Sequence, residues 1–447
     1  MTEENKTFHR ELWSIALPVT LQCMLQSSFS IVDQVMAGQL GSTSVAAIGL
    51  GSKFASLFSV LISAVAVVAG IMMSQYLGKK DEGKVCRSFW VNMAVGIALA
   101  VVFTAVSVCI PRQILGLYIE DKATIAVGAG YLRIYALSFL PLVLSTLLAT
   151  FLRCREKASA PLYVSLAVAL LNTALNYLLI FGKFGCPRLG VEGAAIASAA
   201  AQLTGALLLI LITCVLAGRN GWKLPVQLTM AREDWVQYGK ILFPILVCEF
   251  LWSLGENVYA SIYGHVGTDA CAAMTLTNPV QGLTIGALSG LSQAAGIMVG
   301  KSLGAKEYTK AYRDSRRLMA YGVCGSLILS LLLILLSSWY VTIFQVSNEV
   351  CRMTRALLIA FAVISPVKVQ NMILGGGIIR SGGKTKYVMW IDIIGTWGFG
   401  VPLGLLAAFL WELPIVWVYV LLSLEECVRL GISAVIFRRK NWMQSLG

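Results

Sequence analysis

Long apolar stretches alternate with short polar connections along the chain. A helix needs roughly 20 residues to cross a hydrocarbon core about 30 Å thick. Stretches of about this length lie at residues 12–38, 45–77, 88–110, 129–151, 162–182, 192–217, 237–263, 270–300, 318–338, 354–378, 387–410 and 413–437. The pattern therefore predicts an all-α integral membrane protein with twelve transmembrane helices.

The first of these stretches occurs a second time, 226 residues further along the chain. The two copies match without a gap, and the shift places Pro18 on Pro244 and Leu77-Gly78 on Leu303-Gly304. Such self-similarity indicates an internal repeat. Each half has six helices, an even number, so both halves enter the membrane in the same direction and form parallel repeats. We expect an N-lobe at 1–217, a cytoplasmic linker at 218–240 and a C-lobe at 241–447.

Composition and charge support this membrane assignment. Hydrophobic residues make up 57% of the chain and charged residues 13%, against about 25% charged residues in soluble proteins. The net charge of +13 is explained by an excess of basic residues on one side of the membrane. If the N-terminus is cytoplasmic, 25 Lys and Arg fall on the inner side and six on the outer side, as the positive-inside rule requires. We therefore expect a multi-pass plasma-membrane protein with both termini cytoplasmic and no nucleic-acid partner.

The first helix carries the most informative polar residue, Asp33. A carboxylate within a membrane helix is costly and usually functional, and its repeat counterpart is Tyr259, so the acid is not duplicated. Pro18 interrupts the same helix and is our candidate hinge. We also predict that Lys53, at a similar depth on the second helix, pairs with Asp33.

Candidate substrate contacts lie in the second half. Glu249, Trp252 and Glu256 share one helix stripe, and two acids beside an aromatic ring suit an organic cation. Internal pairing of these acids with Lys53 or Lys368 is the alternative reading. We assign Lys53, Lys368 and Asp392 to the same predicted substrate cavity. Arg429 is close enough to a helix end to extend its charge towards water, and we assign it no role.

Several function classes lack their motifs. The eleven cysteines show no CxxC pattern and there are only two histidines, so neither a disulfide framework nor a zinc site is predicted. There is no phosphate-binding GxxxxGK[ST] loop, so ATP drive is not expected. No assembled nucleophile and base is evident, so we expect no enzyme activity and no cofactor. A channel fits less well than alternating access, because the fold is duplicated around a titratable acid.

The chain resembles the multidrug and toxic compound extrusion (MATE) transporters along essentially its whole length. The matching features include Pro18, Asp33 and the following Met-Ala-Gly-Gln-Leu-Gly, then Arg153 with Pro161, Asn172 with Asn176-Tyr177, the segment 190–198, and the Arg-Ser-Gly-Gly-Lys-Thr-Lys that begins at Arg380. The resemblance implies two six-helix lobes, a central cavity open to one side at a time, and antiport of a substrate against H+ or Na+.

The resemblance also implies a cation site in the N-lobe. Asp33, Asn172, Asn176 and Ser198 stand at the positions that one branch of the family uses. Asn176 replaces the acid of that branch, and this loss of one negative charge leans towards H+. Taken from the residues alone, Asn172, Asn176 and Ser198 also fit helix packing.

We therefore expect a cation-coupled exporter of organic, cationic small molecules that works as a monomer in the lipid bilayer. The alternative is a flippase or exporter for lipid-linked or anionic substrates, which Lys53 and Lys368 would suit.

Overall fold

A computed structural model describes residues 3–222, 225–227, 229, 232–342 and 347–446. Its regular elements in these ranges are all helical. The part before residue 223 contains α1 Glu3–Gly38, α2 Ser42–Gly78, α3 Glu82–Cys109, α4 Pro111–Gly116, α5 Lys122–Tyr135, α6 Phe139–Cys154, α7 Ser159–Phe181 and α8 Val191–Asn220. The later part contains α9 Arg232–Val266, α10 Thr268–Gly304, α11 Tyr308–Val341, α12 Asn348–Asn371, α13 Thr385–Asp392, α14 Val401–Leu405 and α15 Ile415–Arg439.

The predicted membrane helices are present, and most are longer than their apolar stretches. Within the described residues, eleven helical stretches are long and apolar enough to span a membrane. The twelfth predicted span is α15, which carries Glu425, Glu426 and Arg429 in its middle and is therefore less apolar. The all-α fold class and its twelve-helix, two-lobe arrangement are confirmed.

Irregular helical turns are concentrated late in the chain. The fourth predicted span is α5 and α6 joined by a 3-10 turn at Ala136–Ser138. The tenth and eleventh spans contain π-helical stretches at Met372–Ile379, Ile393–Gly400 and Leu406–Leu410. Wider π-turns often mark functional sites because they change the direction in which side chains point.

The chain divides into two compact units that do not follow the sequence repeat residue for residue. We call Leu21–Met73 with Asp81–Ala231 the N-unit, and Met1–Thr20, Ser74–Lys80 and Arg232–Gly447 the C-unit. The first boundary cuts α1 two residues after Pro18, the candidate hinge. The lobe boundaries expected from the sequence stay a prediction, and parts of the expected linker (223–224, 228, 230–231) lie outside the described residues.

A tight crossing of the ends of α2 and α10 organises part of the C-unit. A side-chain carbon on Gly78 would overlap the carbonyl of Lys301, and one on Gly304 would overlap the carbonyl of Gln75. Gly78 and Gly304 are repeat counterparts, as are Gln75 and Lys301. Glycine is required at both points because the two backbones touch. The Gln75 amide also donates to the Ser381 carbonyl at 2.5 Å.

Apolar packing sets the rotation of the C-unit helices that carry charged residues. Phe361 on α12 and Val418 on α15 are fully buried in one cluster. In the N-unit, Phe58 on α2 packs against Phe139 on α6 with ring centroids 4.5 Å apart. These contacts fix which helix faces look inward.

Candidate functional site

A chain of hydrogen bonds in the N-unit joins all four residues of the predicted cation site. The Asn176 side-chain N–H2 donates to Oδ1 of Asp33 and to Oδ1 of Asn172, both at 2.9 Å. Asn172 Nδ2 in turn faces the Ser198 hydroxyl at 3.4 Å. Asn172 and Asn176 lie one turn apart on α7, so both amides point the same way. The structure thus brings together residues from α1, α7 and α8.

This chain of amides has one unused acceptor. Oδ1 of Asn176 is buried and has no hydrogen-bond partner among the described residues. Buried polar atoms are normally satisfied, so an orphaned oxygen beside a carboxylate calls for an explanation. Rotation of the Asn176 amide would present this oxygen to a protonated Asp33, whereas the present orientation serves the ionised form. The site therefore suits a change of protonation.

A cavity of about 450 Å3 in the N-unit contains this site. Asp33, Asn172 and Ser198 line it, and Asp33 is half-buried. Its volume falls within the range of small-molecule pockets, about 300–1,000 Å3. The N-unit cavity is therefore large enough for an organic molecule as well as a proton or an ion.

A single basic side chain also lines the N-unit cavity. Arg153, at the end of α6, donates to Gln22 Oε1 at 2.8 Å, and Gln22 Nε2 donates to the Ser165 hydroxyl at 2.7 Å. The sequence treats Arg153 as a topology charge and part of a family motif. In the structure, Arg153 lines the N-unit cavity.

The predicted pair of Lys53 and Asp33 is wrong. Lys53 is exposed on α2 and does not line the N-unit cavity. Across the part of the chain that the structure describes, no ion pair joins it to Asp33, whose bond is to Asn176. Equal depth on neighbouring helices is not sufficient, because depth does not fix the direction in which each side chain points.

In the C-unit, the predicted substrate residues lie among fixed ion pairs. Glu249 Oε1 lies 3.4 Å from Arg380, Lys368 lies 3.9 Å from Glu426, and Asp392 lies 3.5 Å from Arg429. These six residues line a cavity of about 340 Å3. Glu249 therefore pairs within the protein, as the alternative reading allowed, but with Arg380 rather than with either lysine.

The stripe of Glu249, Trp252 and Glu256 on α9 divides between two cavities. Glu249 faces the 340 Å3 cavity, Glu256 faces a second one of about 200 Å3, and Trp252 lines both. Glu256 is exposed, and no described residue forms an ion pair with it. The stripe thus offers one neutralised acid, one available acid and a half-exposed indole ring between them.

Helix α15 supplies buried charged side chains that the sequence reading missed. The carboxylates of Glu425 and Glu426 are buried, and the Tyr259 hydroxyl donates to Glu425 at 2.5 Å. The expectation that Arg429 extends its charge towards water is wrong, because its side chain is 12% exposed and contacts Asp392 and Thr396. Two adjacent acids inside an apolar stretch were the available signal.

A metal cluster of the usual kind is not formed in the described ranges, where no three His, Cys, Asp or Glu side chains come together around a possible ion. The N-unit site instead combines one carboxylate with amide and hydroxyl oxygens. Hard cations bind oxygen ligands of this kind, and a carboxylate binds a proton.

Comparisons with known proteins agree with the duplicated architecture. The sequence profile of the MatE family matches residues 18–178 and again residues 244–406. An uncharacterized transporter, YisQ of Bacillus subtilis, is 23% identical over 444 residues, covering 98% of this chain and 96% of that protein. A probable multidrug resistance protein, NorM of Rhizobium meliloti, is 28% identical over 421 residues, with 92% and 88% coverage.

Solved structures show the same fold. An aspartate-to-asparagine mutant of the MATE transporter VcmN from Vibrio cholerae superposes with a TM-score of 0.88 at 18% identity, covering 98% of this chain and 99% of that one. A MATE protein in complex with MaL6 gives a TM-score of 0.87 at 15% identity, with 96% and 95% coverage. Two profile matches that span most of the chain show that the protein is a multi-pass membrane transporter belonging to the MatE family.

Proposed function

We propose that this transporter exports organic, cationic small molecules in exchange for protons, by alternating access, with Asp33 as the coupling carboxyl. The observation that carries the proposal is the hydrogen-bond chain from Asp33 through Asn176 and Asn172 to Ser198 in the wall of the N-unit cavity. Its relatives named as multidrug resistance proteins support the export of drugs. We further propose that it acts as a monomer in the plasma membrane with both termini cytoplasmic.

Protonation of Asp33 changes what its neighbours must do. The ionised carboxylate accepts from the Asn176 N–H2, whereas the protonated carboxyl needs an acceptor, and the orphaned Asn176 Oδ1 supplies one after the amide rotates. Loss of the charge also removes a reason for α1 to face a polar cavity. Helix α1 then repacks about Pro18. A proton thereby acts as a ligand that favours one conformation over the other.

The C-unit also offers a place for the positive charge of a substrate. The free carboxylate of Glu256 and the ring of Trp252 line one cavity, and both attract an organic cation. The ion-paired Glu249 and Lys368 contribute less, because their charges are compensated locally. This pairing also weakens the flippase alternative, since Lys53 is exposed outside the N-unit cavity and Lys368 pairs with Glu426.

The test is export of a fluorescent cation into everted membrane vesicles, driven separately by a pH gradient and by a Na+ gradient. We expect a pH gradient to suffice, and substrate addition to release protons. Asp33→Asn should abolish proton release and proton-driven export while leaving expression unchanged. Asp269→Asn is the matched control, because Asp269 is an exposed acid in the first turn of α10, and it should transport like the parent.

Two outcomes would count against this mechanism. Proton release by Asp33→Asn at the parental rate would make Asp33 structural. Export driven by Na+ alone would assign the amide and hydroxyl oxygens to a metal ion instead of a proton.

A further inference from the structure

Arg153 is a half-buried base without a counter-ion. Its guanidinium bonds to the neutral amide of Gln22, and its Nε is buried with no partner. Within the described ranges, no carboxylate lies within ion-pair distance of it. The Ser145 hydroxyl, another buried group without a partner, lines the same N-unit cavity. Two unused hydrogen-bond donors therefore border one space.

The repeat supplies a comparison for this arginine. Arg380 ends the corresponding helix of the second half, and Glu249 lies 3.4 Å away as its counter-ion. The residue that matches Glu249 under the 226-residue shift is Cys23, which is neutral. The two halves thus keep the arginine and differ in whether the protein neutralises it.

A buried guanidinium stays charged, because arginine does not deprotonate in proteins. An unpaired charge away from water is strongly unfavourable unless something compensates it. We propose that Arg153, held in place by Gln22, forms an anion subsite that binds the carboxylate of a transported molecule. The proposal rests on the export function and names the side chain that recognises the negative charge of a zwitterionic substrate.

The distance between the two charged groups in the N-unit cavity favours a zwitterion over a small anion. Gln22 and Asp33 lie eleven residues apart on α1, which at 1.5 Å per residue separates them by about 16 Å. A base thus occupies one region of the cavity and an acid another. A drug-sized molecule with a carboxylate near one end and a protonated amine near the other matches both charges and the volume of about 450 Å3.

The experiment compares two probes that share one ring system. One is a rhodamine zwitterion with a free carboxylate, and the other is its methyl ester, which is a cation. Binding to the purified full-length transporter in detergent is measured by fluorescence anisotropy without any ion gradient. We expect the parent to bind the zwitterion about tenfold more tightly than the ester, the scale of one charge-assisted hydrogen bond.

Gln22→Glu is the decisive variant, because it keeps the shape of Gln22 and gives Arg153 an internal counter-ion. It should remove the preference for the zwitterion while leaving ester binding in place. Gln202→Glu is the matched control. Gln202 lies on α8 and lines the same cavity, so this substitution adds the same negative charge away from Arg153. That control should keep most of the preference.

An unchanged preference in Gln22→Glu, or no preference in the parent, would overturn the subsite. If Gln22→Glu does not fold, Cys23→Glu replaces it. Free benzoate gives a readout on the parent alone: it should displace the zwitterion and not the ester, and a failure to do so also overturns the proposal. The binding assay uses no ion gradient, so its outcome does not depend on whether Asp33 couples export to protons. A failure of the subsite can therefore be told apart from a failure of the proposed proton coupling.

Discussion

The interiors of the two units use charge in opposite ways. In the N-unit cavity, a lone carboxylate, Asp33, is hydrogen-bonded to amides, and a lone guanidinium, Arg153, is hydrogen-bonded to another amide. In the C-unit, Arg380, Arg429 and Lys368 each face a carboxylate within 4 Å. Charges without counter-ions respond to protons and ligands, whereas paired charges hold helices together. The two halves of the duplicated fold therefore differ in how many of their interior charges are compensated within the protein.

The repeat position of Asp33 shows how the two halves differ although their helices correspond. Tyr259 occupies the repeat position of Asp33, and its hydroxyl donates to Glu425 on α15. The C-unit therefore has a carboxyl next to this position, but it comes from another helix and has a fixed partner. Equivalent backbone positions do not imply equivalent chemistry.

The largest expected difference in stability is between two variants that each remove one arginine, Arg380→Gln in the C-unit and Arg153→Gln in the N-unit. Arg380→Gln leaves Glu249 without its cation in a largely buried place, and breaking a buried pair costs about 3–5 kcal/mol. Arg153→Gln removes a charge that has no carboxylate partner, so its cost should be smaller. Thermal unfolding of both purified variants in detergent measures the difference. Equal destabilisation would show that the pairing of Arg380 has no special structural weight.

A smaller effect, of about 1–3 kcal/mol, is expected for Tyr259→Phe, which takes from the buried Glu425 carboxyl its hydroxyl donor. This variant should unfold at a lower temperature and still couple export to protons. Asp33→Asn should do the reverse, because an amide can keep the hydrogen-bond chain but cannot carry a proton. Unfolding temperature and substrate-induced proton release are measured on the same two preparations. Loss of coupling in Tyr259→Phe would place a second proton site in the C-unit.

The smallest effect concerns two helix caps that are repeat counterparts. Asp121 caps α5 and Ser347 caps α12, each by accepting a backbone N–H. Hydrogen bonds from the side chain and backbone of Thr124 hold the pKa of Asp121 below its ordinary value of 3.8. The ionised cap therefore stabilises α5 at neutral pH, and this contribution is lost as the pH falls below about 4.

Hydrogen exchange of the first amides of α5 and α12, between pH 7 and pH 3, measures this difference after correction for intrinsic exchange. Protection should fall with pH in α5 and stay constant in α12, because a serine hydroxyl does not titrate in this range. Asp121→Ser should make α5 behave like α12. A parallel loss of protection at both caps would instead indicate general unfolding.

Local patterns and the family resemblance together identified the residues of the N-unit site. Asn172 and Asn176 could be placed on one face of a helix from their spacing alone, and the isolated Asp33 stood out against its apolar surroundings. The family resemblance then joined these residues with Ser198. The C-unit site was harder to predict, because its charged residues lie on four helices, α9, α12, α13 and α15. Arg380 comes from a fifth place, directly after the π-helical stretch Met372–Ile379. Arg380 and Glu249 are 131 residues apart, and no local spacing relates them.

The sequence by itself determined the membrane spans, the repeat and the position of Asp33 within an apolar helix, since hydropathy and periodicity are properties of neighbouring residues. Only the tertiary structure decided which charges meet. The rotation of a helix about its axis is set by packing of side chains such as Phe361 and Val418, and the folded protein leaves Lys53 exposed and Arg429 largely buried. A sequence gives the depth of a charge in the membrane, and helix packing gives its direction.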